Sequence, residues 1–180
     1  MKTAFSTMVI ALMLIISSAT AAEDMSLRDA QYKKEHLEQL GPRKGYQGNK
    51  DWDNFVKLAP KYQDMEILSK MLGVEPSATP TENAQYVFDL FSVYKEQPEF
   101  FVVTAHKFYK GDMDCVARLF KTNPTIITEE ELTAPFKTKF KKKEFGDFIS
   151  VVKKLDYTKE NVSDTIKATT KCQQIKHSKH

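Results

Sequence analysis

Two cysteines, Cys115 and Cys172, are the only ones in the 180-residue sequence. Whether they pair decides which distant parts of the chain must meet, and the first residues bear on that. Lys2 gives a short positive start, Met8 to Ile16 is an unbroken apolar run, and Ala19-Thr20-Ala21 offers a small-residue cleavage site. A bilayer span needs ~20 apolar residues, and Ser17, Ser18 and Thr20 end this run early. Residues 1–22 therefore read as a signal peptide, and the remaining chain is expected to be secreted, extracellular and free of the membrane. An oxidising compartment and an even cysteine count favour a disulfide. Cys115–Cys172 is the one intramolecular pairing, closing a loop of 57 residues. The surrounding sequence offers neither thiol an activating histidine or basic helix end, and no C-x-x-C or H-x-x-x-H spacing points to zinc.

Composition narrows the class further. At 41% hydrophobic and 28% charged residues, collagen, low-complexity and wholly disordered chains are excluded. A net charge of +3 does not mark a nucleic-acid binder.

Residues 23–80 read as an N-terminal helical segment with a linker. Ser26 is placed to cap a helix with Asp29 in its first turn, and Leu27, Ala30, Leu37 and Leu40 recur at helical spacing. Residues 41–50 carry three glycines and read as a loop. Trp52, Phe55, Val56 and Ala59 mark a second helical face, interrupted at Pro60; Ile67, Leu68, Met71 and Leu72 continue the pattern. Thr81 is placed to cap a third helix, over 81–94, with Ala84, Val87, Phe88 and Phe91 on one face.

After Pro98 the period reads as two. Phe101, Val103 and Ala105 alternate with Val102, Thr104 and His106, predicting a strand over 99–109. Lys110-Gly111-Asp112 reads as a tight turn, and residues 113–121 as a second strand. Phe136, Thr138 and Phe140 alternate with lysines, 148–155 is apolar, and 163–170 is β-compatible, giving about five strands, mostly antiparallel. The predicted fold class is α+β, with 81–180 forming a helix plus antiparallel sheet.

Charge is uneven. From Lys137 onward 12 lysines face 5 acidic residues, a net of +7, whereas residues 23–136 carry a net of −5. Lys137, Lys139, Lys141, Lys142 and Lys143 are read as the solvated face of an edge strand; a basic surface for an acidic partner is the alternative. No G-x-S-x-G elbow, phosphate loop or H-E-x-x-H motif is present. His36, His106, His177 and His180 are scattered. No catalytic, metal or cofactor residue is assigned, and the chain is read as non-enzymatic. Asn161-Val162-Ser163 is a glycosylation sequon, whereas Pro124 blocks the one at Asn123.

The segment TENAQYVFDLFSVYKEQPEFFVVTAHKFYKGDMDC, residues 81–115, resembles the opening of a tick salivary lipocalin of the histamine-binding type. The matching pieces are Ala84, Tyr86, Phe101, Val103, Tyr109, Cys115 and Val116, with Tyr157-Thr158-Lys159-Glu160-Asn161 resembling a later turn. The resemblance implies a lipocalin-like sheet or partial barrel behind N-terminal helices. It implies a secreted salivary protein that sequesters a small amine or lipid host mediator. Two alternatives stand beside it: a surface binder of a host protein such as immunoglobulin or complement, and a cystatin-like protease inhibitor, although no Q-x-V-x-G loop is present.

Overall fold

The computed structural model describes residues 23–40, 50–74, 80–121, 127–137, 142–155 and 162–178, and every regular element in them is helical. In chain order these are α1 (Leu27–His36), α2 (Lys50–Tyr62), α3 (Met65–Gly73), α4 (Pro80–Glu96), α5 (Pro98–Phe108), α6 (Met113–Lys121), α7 (Glu129–Thr133), α8 (Lys143–Lys154) and α9 (Val162–His177). Short 3-10 turns at Leu37–Gln39 and Ala134–Phe136 extend α1 and α7. Among the described residues there is no strand, so the α+β lipocalin-like sheet or barrel is overturned. The cystatin-like outline, which also needs a sheet, loses its support.

The N-terminal helices follow from their spacing. Trp52, Phe55 and Ala59 are buried on α2, and Ile67, Leu68, Met71 and Leu72 on α3. Helix α2 runs through Pro60 and ends in a Schellman-type turn. Asp64 N–H donates to Ala59 O at 3.0 Å, Gln63 N–H donates to Pro60 O at 3.3 Å, and Gln63 adopts φ +47°. Asp64 then caps α3, its Oδ1 accepting from the N–H groups of Glu66 and Ile67.

The reversal after Pro98 has a local cause. Residues 100–105, FFVVTA, are so densely apolar that both periods fit them. The structure buries Phe101, Val102, Ala105 and Phe108, a 3.6-residue stripe, and leaves Val103 only partly buried. The boundary residues decide for helix. Pro98 occupies the first turn, where its missing N–H costs nothing. Lys110 (φ +54°) and Gly111 (φ +87°) close the other end, with Gly111 N–H donating to His106 O at 2.8 Å. Asp112 accepts from Cys115 N–H at 3.2 Å and starts α6, whose inward residues are Cys115, Val116, Ala117 and Phe120. The apolar run at 148–155 lies mainly in α8, and the β-compatible run at 163–170 lies in α9.

Two predicted faces are rotated. Helix α4 buries Tyr86, Leu90, Phe91, Val93 and Tyr94, while Phe88 points outward. On α1, Leu27 is 91% exposed. Leu37 and Leu40 are buried as their spacing predicts, but just beyond the helix.

One core joins residues from both sides of the 80/81 boundary. Tyr94 is at its centre, with ring centroids 5.3–6.4 Å from Phe91, Phe101, Phe120, Phe136 and Phe148. Its hydroxyl donates to Leu132 O at 2.5 Å, so the one polar atom of the ring is satisfied inside an apolar site. Burial pushes the Tyr94 hydroxyl pKa upward. Cys115 and Cys172 are joined in a disulfide that ties α9 to α6. Among the described residues no helix is long and apolar enough to cross a membrane.

Candidate functional site

The α7–α8 surface holds a groove of about 560 Å³ lined by Glu129, Glu130, Thr133, Lys137, Ile149 and Lys153. Its position follows from two local devices. The first is a capping box at Thr128. The Thr128 hydroxyl accepts from Glu131 N–H at 3.2 Å, and the Glu131 carboxylate accepts from Thr128 N–H at 2.8 Å. These contacts hold the Glu131 carboxyl below its usual range. They also start α7 at Glu129, which places Glu129 and Glu130 in the exposed first turn.

The second device is aromatic. Phe136, at the end of the 3-10 turn, stacks on Phe145 of α8 with centroids 4.7 Å apart. This stack, with Phe148 beneath it, fixes α8 against α7. Helix α8 turns Phe145, Phe148, Ile149 and Val152 inward, and Lys153 is left on the surface.

The groove therefore has a buried floor, Thr133 and Ile149, and a charged rim. Thr133 Oγ1 donates to Glu129 O at 2.9 Å, so the floor hydroxyl is engaged by its own helix. Lys137 Nζ lies 3.2 Å from Glu130 Oε1 across an exposed pair, a contact worth ~0–1 kcal/mol. Enclosed small-molecule sites are mostly apolar. This groove instead presents both signs of charge around a narrow floor of Thr133 and Ile149.

Of the residues singled out from sequence, Cys115 and Cys172 come together as a bonded pair. Asn161 lies outside the described residues, as do Lys139, Lys141 and His180. Lys137 follows the 3-10 turn, Lys142 precedes α8 and Lys143 opens it, so these three do not line a strand edge. His106 is half-buried near the end of α5, and His177 is exposed near the end of α9. Among the described residues no three His, Cys, Asp or Glu side chains are grouped to hold a metal ion. Glu129, Glu130 and Thr133 were not singled out from sequence, although the T-x-x-E pattern at Thr128–Glu131 marks the helix start that positions them.

The chain matches no family model, no curated protein and no solved structure. The residues behind the lipocalin resemblance, Phe101, Val103, Cys115 and Val116 among them, lie on α5 and α6 rather than on strands. The barrel that the resemblance implied is therefore not what those residues build.

Proposed function

We propose that this chain is a secreted, non-enzymatic binding protein that recognises an extracellular protein partner across its α7–α8 surface. The observation that supports this reading is the aromatic packing around Tyr94. The Tyr94-centred rings occupy the space between α4, α5, α6 and α8, while the α7–α8 groove faces outward with charge on its rim. A ligand held inside would have to displace packed aromatic rings and replace the contacts that they make. A partner at the groove needs only complementary charges and an apolar residue to meet Ile149. Secretion is supported by the leader-like residues 1–22 and by the disulfide, which persists in oxidising compartments. The partner class carried over from the sequence is a plasma protein such as immunoglobulin or complement.

The test is retention of plasma proteins on the immobilised chain, compared with a Lys137→Glu/Lys153→Glu variant. Both lysines are exposed, so the variant should fold normally. Saturable retention of one protein, reduced at least about tenfold in the variant, is expected. Retention of nothing, or equal retention by both forms, would contradict the proposal.

A further inference from the structure

Helix α1 is docked by an unusual face. A surface helix normally turns an apolar stripe inward, yet α1 has no buried residue. Its half-buried positions are Asp29, Ala30, Tyr32, Lys33 and His36, and four of these five are polar. Each of the four meets a polar partner on α2 or at the start of α3. Asp29 accepts from the Tyr62 hydroxyl and lies 3.6 Å from Lys61 Nζ. The Tyr32 hydroxyl donates to Asp51 and accepts from Asn54, while its ring rests 5.6 Å from Phe55. Lys33 Nζ reaches Asp64 at 2.7 Å and Glu66 at 2.6 Å. His36 stacks on Tyr32, and its Nδ1 lies 3.2 Å from Asp51 Oδ2, out of line for a hydrogen bond. Apolar contacts flank this polar face: Leu37 and Leu40 are buried beyond His36, and Met25 before the helix is partly buried against the core.

We infer that α1 is an electrostatic latch. It swings on the Leu37–Leu40 anchor and releases from α2 and α3 when ionic strength rises, while the aromatic core stays closed. Salt weakens charge pairs, with a Debye length of ~3 Å at 1 M against ~10 Å at 0.1 M. Apolar docking is not weakened in this way. Release uncovers the Tyr62 and Phe55 side of α2. Trp52 lies on the part of α2 that faces α4, where its Nε1–H donates to Asp89 at 2.8 Å and its ring meets Tyr86. It therefore stays buried when the latch opens and is exposed only when the core does.

The experiment is amide hydrogen exchange on the disulfide-intact chain in 0.05 M and 1 M sodium chloride, with Trp52 emission followed in parallel. The expected result is about tenfold faster exchange in α1 at high salt, with α4–α6 and the Trp52 emission unchanged. Lys33→Met keeps the side chain's apolar stem and removes its charge. It should exchange faster in α1 already at low salt and respond less to added salt. Salt-insensitive exchange in α1, or acceleration of α1 and the core together with a Trp52 red shift, would overturn the inference. If the variant does not fold, the wild-type comparison decides alone.

Discussion

Lys33 meets Asp64 through Oδ2, the carboxylate oxygen that Asp64 does not use to cap α3. One carboxylate thus starts a helix with Oδ1 and holds a second helix with Oδ2. The adjacent Schellman-type turn at the end of α2 delivers it to this position. Burial works against the Lys33 ammonium, but the Asp64 and Glu66 contacts overcome it and raise its pKa.

Asp64→Ala removes both roles at once. Loss of the cap alone costs about 1–2 kcal/mol, and urea denaturation should show at least that. Asp64→Ser, which keeps a capping oxygen but no charge, should recover most of the stability while leaving α1 amides poorly protected.

The disulfide is expected to matter most for α9. Cross-linking across 57 residues stabilises by about 2–4 kcal/mol. A Cys115→Ala/Cys172→Ala chain should lose that amount in urea denaturation. Its exchange should accelerate first in α9, which packs Cys172 and Ile175 against the core and buries Lys176, while Lys167, Thr169, Thr170, Lys171 and Gln174 are exposed.

Lys176 is 5% exposed, and its ammonium donates to Val74 O at 2.7 Å, where α3 ends. The Tyr86 hydroxyl serves Met71 O and Leu72 O at the same helix terminus. Between them they satisfy carbonyls that a helix leaves unpaired. Lys176→Met should destabilise by about 1–3 kcal/mol, measured by thermal unfolding, despite conserving apolar bulk.

The pH dependence follows from Asp112. Burial alone would raise its carboxyl, but Lys171 and the backbone N–H groups of Cys115 and Asp114 outweigh that and lower it. Its folded pKa then lies below the unfolded value, so the unfolded chain takes up the proton first as pH falls. The stabilisation is complete above the unfolded value of ~3.9. It disappears as pH drops through the folded pKa. Asp112→Asn should be less stable at pH 7 and show a shallower loss of stability below pH 4, measured by urea denaturation across that range.

The sequence made the helices before residue 80 legible because their apolar residues are sparse. In Trp52–Ala59 and Ile67–Leu72, polar neighbours define the stripe and only a helical period fits. In Phe100–Ala105 the one polar residue, Thr104, does not break the apolar run, so alternation fits as well as a helix. Boundary chemistry carried the answer there: Pro98 in a first turn, Asp112 starting α6, and Thr128 paired with Glu131 three residues on. The α1 face departs from its apolar spacing for a different reason. Its inward residues are polar and take partners from α2 and α3, contacts that no periodicity in α1 announces. The groove brings Glu130 of α7 and Lys153 of α8 onto one surface, a juxtaposition that depends on tertiary packing such as the Phe136–Phe145 stack. The disulfide required no such tertiary information, because two cysteines allow one pairing.

The proposal of surface binding rests on the aromatic rings packed between α4, α5, α6 and α8. Isothermal calorimetry of residues 23–180 with histamine, serotonin and a long-chain fatty acid tests it most directly. No saturable heat is expected with any of the three, and no shift in thermal midpoint at millimolar ligand. A one-site isotherm with micromolar affinity, abolished by a core substitution such as Phe101→Trp, would place a ligand among the Tyr94 rings and contradict it.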